Sequence, residues 1–207
     1  MAKLSKSPYA QSCAYSALTT LNVERGRPDR ALLYAKHGVR LREVPEGQHA
    51  WMQVRNAWAL ALVRGQQHAS RDELERAQAP LAGRGFADLS EFDVADMMGS
   101  IGIALNRVGA YREAHSTLDE AVALLGGTRP NLQSEFLAEQ VIPALRISRP
   151  SIAADRMLAL TRVAPLVDSG RVDGHLRDVL AESARWATVP EIRDARAQLE
   201  TLVTAHR

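Results

Sequence analysis

The sequence contains very little of what several large classes of protein require. A single cysteine among 207 residues excludes an internal disulfide framework of the kind that supports small secreted proteins. No apolar run approaches the roughly 18 residues of a membrane-spanning helix, and no apolar stretch follows Lys3 and Lys6 as in a secretion signal. The net charge of +2 is too small to require an anionic partner. We therefore expect a cytoplasmic protein that contacts neither a membrane nor nucleic acid directly.

Motifs that carry catalysis or bind metals are also missing. The histidines never take the i, i+4 spacing of a helical metal-binding pair, and we expect them at the surface. They are His37, His49, His68, His115, His175 and His206. Cys13 has no histidine close to it in sequence, which favours a small buried thiol over a nucleophile. No glycine-rich phosphate-binding loop is present. The sequence thus predicts a protein that is not an enzyme and holds neither a metal nor a cofactor.

What the sequence does contain is a pattern that occurs four times. A small turn residue is followed five positions later by an alanine-like residue, with small or apolar residues at plus four and plus seven from there. The four sets are Gly26, Ala31, Ala35 and Gly38; Gly65, Ser70, Leu74 and Ala77; Gly109, Ala114, Leu118 and Ala121; and Ser148, Ala153, Met157 and Leu160. Residues three and four apart share one face of a helix, and small ones let a neighbouring helix approach closely. The pattern predicts an array of paired helices.

Helix signals occur in pairs along the chain, and strand signals are almost absent. We expect one all-α domain over residues 1–207, with helix pairs over about 8–43, 50–82, 91–125 and 132–167 and a terminal pair over about 172–206. Ser70 with Glu73, and Thr188 with Glu191, have the spacing of a capping box. Pro143 lies inside a predicted helix and should either kink that helix or shift its boundary.

The third occurrence of the pattern resembles a tetratricopeptide repeat (TPR). The second helix of that repeat is marked by a glycine, an aromatic residue and alanines on the packing face, matched here by Gly109, Tyr111, Ala114, Leu118, Ala121 and Val122. The first helix is matched by Met98, Ile101, Gly102 and Leu105. The other occurrences depart from the family, since Thr19, Trp58 and Gln140 stand where small or apolar residues are usual. The resemblance implies a right-handed superhelical solenoid whose first helices line a concave groove.

The closing segment is similar to the C-terminal end of actinobacterial regulators that join a helix-turn-helix domain to a TPR-like sensor region. The residues that carry this likeness are Val172, Leu180, Ala184, Arg185, Trp186, Val189, Pro190, Ile192, Arg193, Asp194, Arg196 and Leu199. Because the first repeat helix is predicted to begin near residue 8, we expect the sensor or adaptor half without the DNA-binding domain. The resemblance implies a regulatory protein that takes part in transcription regulation.

The TPR resemblance also assigns residues of mixed chemistry to the groove. The candidate ligand-binding residues are Met52, Arg55, Asp96, Ile103, Asn106, Arg107, Glu135 and Arg146. The arginines could hold a carboxylate or phosphate through paired N–H donors, and Asn106 could hold an extended peptide backbone. Alternatively, the arginines pair with Asp96, Glu135 and Glu139 on adjacent helices.

Two functions stay open at this point. Polar and charged side chains at most groove positions favour a module that binds a protein or peptide partner, as a regulatory adaptor does. However, Met52, Leu62, Ile103 and Ile142 could instead line an apolar pocket. The alternative function is therefore a small-molecule-sensing regulatory domain.

Apolar residues outside the repeated pattern give three further expectations. The first helix carries an apolar edge, formed by Tyr9, Cys13, Ala17 and Leu21. We expect a homodimer that uses either this edge or the irregular fourth helix pair. Trp51 and Trp58 lie seven apart, hence on one helix face, and are expected in the core. Phe86, in a glycine-flanked loop, is expected to fold back onto the core.

Overall fold

The helices begin and end close to the positions that the sequence predicts. In this computed structural model, which describes residues 7–78 and 89–205, those residues form ten α-helices and two 3₁₀ turns. The first five helices are α1 (Pro8–Glu24), α2 (Pro28–Val39), α3 (Glu46–Ala61), α4 (Gln67–Gln78) and α5 (Glu91–Arg107). The next five are α6 (Tyr111–Leu125), α7 (Pro130–Arg146), α8 (Pro150–Val163), α9 (Gly170–Ser183) and α10 (Pro190–Ala205). Phe86 lies outside the described residues.

The chain divides into two helical units, Met1–Val108 and Gly109–Arg207. In the first unit α1 packs on α2 and α3, and α3 also packs on α2, α4 and α5. In the second unit α7 packs on α6, α8 and α9, while α10 packs on α8 and α9. The sequence predicts one domain over the whole chain, and that assignment stays a prediction.

The repeated small and apolar residues form the packing faces, as the sequence pattern predicts. Every residue of the pattern that follows the turn is buried, including Ser70 and Gly38. In α2, for example, Ala31 and Ala35 are fully buried, and a methyl group built on Gly38 would lie 2.1 Å from the terminal carbon of Met52 on α3. Glycine at this position therefore permits the close approach of α2 to α3.

The turn residues of the pattern share one backbone conformation. Gly26, Gly65 and Gly109 have φ of +62°, +80° and +83°, in the left-handed region that glycine adopts without strain. Ser148 occupies the same place in the fourth occurrence and has φ of +58°. The serine follows the repeat geometry even though its Cβ makes that conformation unfavourable.

Replacing Ser148 with glycine should therefore stabilise the protein. We expect the free energy of unfolding to rise by about 0.5–1 kcal/mol, because the strain at positive φ is relieved. The control is Ser151→Gly in the first turn of α8, where glycine should instead destabilise by a similar amount. Urea unfolding followed by circular dichroism measures both. A loss of stability in Ser148→Gly would contradict this explanation of the fourth turn.

One local prediction at a helix end is wrong. Ser70 is not an N-cap, because α4 begins at Gln67 and the buried Ser70 hydroxyl donates to the carbonyl of Ala57 at 2.8 Å. A capping box does occur at α5, where Ser90 and Asp93 bond each other's backbone N–H groups. Pro143 lies inside α7 and does not shift its boundary, since the helix continues to Arg146; the kink stays a prediction.

Candidate functional site

A cavity of about 510 Å³ lies on the face that α1, α3 and α5 form in the first unit. These three are the first helices of their pairs, which in TPR-like repeats line the groove. The residues around the cavity are Tyr9, Cys13, Ser16, Ala17, Thr20, Leu21, Glu24, Gln48, Trp51, Arg55, Leu89 and Asp93. The lining combines one cation, two carboxylates, hydroxyl groups and apolar side chains.

Arg55 is a buried charged group in the wall of the cavity. Only 7% of the residue is exposed. Its Nη1 donates to Ser100 Oγ on α5 at 3.0 Å, and its Nε lies 3.4 Å from Ser16 Oγ on α1. The guanidinium carbon lies 4.9 Å from the ring centre of Trp51 and 5.4 Å from that of Trp58. Contacts with all three helices fix the guanidinium, so a ligand would meet a preorganised cation.

Polar side chains join α1 to α3 beside Arg55. The indole N–H of Trp51 donates to Ser16 Oγ at 2.9 Å, so this hydroxyl accepts from both α3 side chains. Gln48 Nε2 donates to the buried Ser12 Oγ at 2.8 Å. Trp58 is buried, as predicted, whereas Trp51 is only partly buried and lines the cavity.

The rim of the cavity coincides with the apolar edge that predicts a homodimer. Tyr9 is 53% exposed and Leu21 is 39% exposed, and both line the cavity together with Ala17. Cys13 is also exposed, so the prediction of a buried thiol is wrong. The buried residues of α1 are Ser12, Thr19 and Asn22, whereas Cys13 lines the cavity.

The other groove candidates of the first unit do not line this cavity. Met52 is fully buried and Ile103 is 3% exposed, so neither offers surface to a ligand. Asn106 is also buried, Asp96 is half-buried, and Arg107 is exposed at the end of α5. The TPR resemblance places Met52 and Ile103 on the groove surface, but both are buried, and Met52 packs against Gly38 on α2 of the preceding pair. The binding roles of Asp96, Asn106 and Arg107 stay predictions.

The two candidates in the second unit are paired with residues of α9. Arg171 donates to Glu135 with an N–O distance of 2.6 Å, and Arg146 lies 3.8 Å from a carboxylate oxygen of Glu182. Burial raises the pKa of Glu135, and the opposing effect of Arg171 is smaller. Ion pairs across adjacent helices are the alternative to ligand binding that the sequence predicts. The partners on α9, however, were not foreseen.

A second polar cluster, in the α6–α7–α8 region, was missed by the sequence analysis. Asp119 accepts from Gln140 at 2.5 Å and from Arg156 at 2.6 Å, and His115 lies 3.8 Å away. Burial lowers the pKa of His115, whose side chain is only 14% exposed, so its predicted surface location is wrong. This cluster explains Gln140 at a position where the repeat favours an apolar residue, since the amide bonds across to α6.

The described part of the chain contains neither a candidate metal site nor a candidate membrane-spanning helix. Among residues 7–78 and 89–205, no group of three or more His, Cys, Asp or Glu side chains could hold a metal ion. Within the same ranges, no helix combines the length and the apolar character that crossing a bilayer requires.

The fold is that of TPR-like helical-repeat proteins. Over 95% of this chain and 96% of the other, it is similar to a kinesin light chain-like protein of Podosopora anserina with nearly identical TPR-like repeats, with a TM-score of 0.65 and 14% identity. It is also similar to the MamA RS-1 ArsTM double mutant, over 94% of this chain and 96% of that one, with a TM-score of 0.56 and 11% identity.

A third likeness is to the apo form of RapI, with a TM-score of 0.52 and 10% identity, over 95% of this chain and 54% of that one. No protein-family model matches the sequence, and no curated protein matches it. The structural likenesses confirm the predicted fold class, an all-α array of TPR-like helix pairs.

Proposed function

We propose that the chain is a non-catalytic protein-interaction module that binds an extended segment of a partner protein in the cavity of α1, α3 and α5. The observation that carries this proposal is the fixed guanidinium of Arg55, held by Ser16 and Ser100 at the cavity wall. A carboxylate or a backbone carbonyl of the bound segment would accept from this cation. No cofactor takes part.

The composition of the lining supports a peptide as the ligand. Exposed apolar side chains at the rim, Tyr9 and Leu21, can cover apolar side chains of a bound segment. The lining also contains polar residues, such as Gln48 and Thr20, whose side-chain oxygens can accept from the N–H groups of a peptide backbone. Such a mixture of apolar and polar contacts is typical of peptide grooves, which rely on both.

A regulatory adaptor role in the cytoplasm is the finer form of this proposal. It is supported by the similarity of the closing segment to sensor regions of actinobacterial regulators. A homodimer through the edge of Tyr9, Cys13, Ala17 and Leu21 also stays a prediction. Because these residues line the cavity, dimer formation and peptide binding would compete. Light scattering with and without the bound segment would detect that competition.

The volume of the cavity favours one second candidate, a small-molecule sensor. About 510 Å³ lies within the range of roughly 300–1,000 Å³ that ligand pockets occupy. Trp51, Leu21 and Leu89 would supply the apolar walls of such a pocket. The two candidates place different ligands in the same cavity. They are distinguished by whether a protein or a small molecule stays bound when the chain is captured from cell extract.

Filling the cavity should abolish binding. Ala17 is exposed on α1 and lines the cavity, so the indole of Ala17→Trp would occupy ligand space at little cost in stability. Tagged wild type and Ala17→Trp are compared by affinity capture from the protein's own cell extract, with mass spectrometry of retained proteins and small molecules. We expect a protein that wild type retains and Ala17→Trp loses at least tenfold.

Ala123→Trp, at an exposed position of α6, is the matched control and should retain that protein. Equal retention by Ala17→Trp would exclude the cavity as the binding site. If wild type retains a small molecule that Ala17→Trp loses, and every retained protein binds both equally, the chain is a small-molecule sensor.

A further inference from the structure

Positive charge is concentrated on and beside α2. Residues 25–42 contain six cations and one acid, whereas the other 189 residues contain 20 cations and 23 acids. The six cations are all exposed: Arg25, Arg27, Arg30, Lys36, Arg40 and Arg42. One short segment therefore accounts for the positive net charge of the whole chain.

The charges on α2 differ from those on the outer helix of the next pair. On α4, Arg71 lies 3.7 Å from Glu75 and Arg76 lies 3.4 Å from Glu73, so each cation has an acidic neighbour one turn away. Within the described ranges, by contrast, none of the six cations of residues 25–42 forms an ion pair. An unbalanced patch of this kind attracts anionic partners, whereas a balanced one does not.

An apolar side chain lies at the centre of the charged face of α2. Leu33 is 53% exposed, one of few large apolar residues so exposed in the described part of the chain. Arg30 and Lys36 lie three residues on either side of it, and Arg40 lies two turns further along the same face. The opposite face of the helix is fixed in the core by Ala31 and Ala35.

The charged face ends in a depression at the turn between α1 and α2. Its volume is about 640 Å³, and it is lined by Gly26, Arg27, Pro28, Asp29 and Arg30. The N-cap residue of α2, Arg27, makes no side-chain hydrogen bond to the first turn of the helix. The positive end of the helix dipole lies beside Arg27 and Arg30, and the first-turn carboxylate of Asp29 offsets part of that charge.

We propose that the outer face of α2 binds an acidic protein segment that carries an apolar side chain. The carboxylates of this segment pair with Arg30, Lys36 and Arg40, and its apolar residue covers Leu33. This surface lies on the opposite side of the α1–α2 pair from the helix face that packs on α3, and it is independent of the cavity proposed above. The module would then hold two partner segments at once.

Leu33 distinguishes an acidic protein segment from other anionic partners. Phosphate groups of a nucleic acid would pair with the cations but would leave this apolar side chain uncovered. A membrane is disfavoured because the apolar face of α2 is already buried against α3 and cannot turn towards lipid. A protein segment can both pair its carboxylates with the cations and cover Leu33 with an apolar side chain.

The test is a fluorescence anisotropy titration of a labelled synthetic peptide of glutamate and aspartate with two adjacent leucines. We expect wild type to bind it, and the charge-reversed variant Arg30→Glu/Lys36→Glu/Arg40→Glu to bind at least tenfold more weakly. Leu33→Ser should weaken binding about threefold or more. Arg71→Glu/Arg76→Glu on α4 is the matched control and should change the affinity less than twofold.

The outcomes that would overturn the proposal are equally specific. One is an unchanged affinity in the charge-reversed variant, with circular dichroism showing that it is folded. Another is equal binding of a peptide that carries serine in place of both leucines. A third is displacement of the peptide by single-stranded DNA or by anionic phosphatidylserine vesicles at lower concentration than by unlabelled peptide.

Discussion

Arg55→Ala is expected to weaken binding of the captured partner at least tenfold and to lower the free energy of unfolding by about 2 kcal/mol. The substitution removes the bonds to Ser16 and Ser100 and the guanidinium beside Trp51 and Trp58. Hydrogen bonds of charged groups contribute about 1.5–3 kcal/mol each, but relief from the desolvation cost of a buried charge offsets part of that loss.

The loss of binding can be separated from the loss of stability. Arg55→Lys keeps the charge but not the planar fork, so we expect it to keep more stability than alanine while still binding weakly. Arg64→Ala, at an exposed arginine of the same unit, should change neither quantity measurably. Unfolding in urea is followed by tryptophan fluorescence, since two of the three tryptophans contact Arg55. Full partner affinity in Arg55→Ala would remove Arg55 from the proposed site.

Gly38→Val is expected to destabilise the protein by about 3 kcal/mol. The added side chain would overlap Met52, whose terminal carbon and sulfur lie 2.1 and 2.9 Å from the position of the new Cβ. Met52 is fully buried, so it has little space into which to move. Inserting carbon atoms into a packed core generally costs about 1–3 kcal/mol, and α2 approaches α3 closely here.

A double-mutant cycle identifies the cause of that loss. Met52→Ala alone should cost about 2–5 kcal/mol because it leaves a cavity. Gly38→Val/Met52→Ala should be more stable than the sum of the two losses by at least about 1 kcal/mol, since valine fills part of that space. Gly174→Val is the matched control, because a Cβ at this helical glycine would meet no atom within 4 Å. Additive losses in the cycle would contradict the packing of α2 on α3.

The sequence was sufficient to predict the helix pairs and their packing faces. Small residues at positions such as Ala31, Ala114 and Ala153 are required wherever two helices approach closely, so the constraint recurs at fixed spacing. The turn glycines recur for a related reason, because their backbone conformation is left-handed. These requirements depend on local geometry, which short segments of sequence encode.

The chemistry of the cavity could be predicted only in part. Arg55 was identified because its helix position follows from the repeat. Its partners Ser16 and Ser100, however, are 39 and 45 residues away in sequence and carry no motif of their own. Cys13 is exposed although the sequence predicts a buried thiol, and the His115 side chain is largely buried although the sequence predicts a surface position. Both predictions rest on residue type, which indicates only an average burial. One signal was available for the second polar cluster, namely Gln140 at an apolar position of the repeat.

The most direct test of the account uses the exposed thiol at the cavity rim. Cys13 is the only cysteine of the chain, so a benzophenone maleimide attaches there alone. Irradiation in the protein's own cell extract, followed by mass spectrometry, should yield a crosslink to a segment of a partner protein. The same label on Cys13→Ser/Thr201→Cys, on the exposed surface of α10, should not crosslink that segment. A partner that is crosslinked from position 201 but never from Cys13 would contradict peptide binding in this cavity.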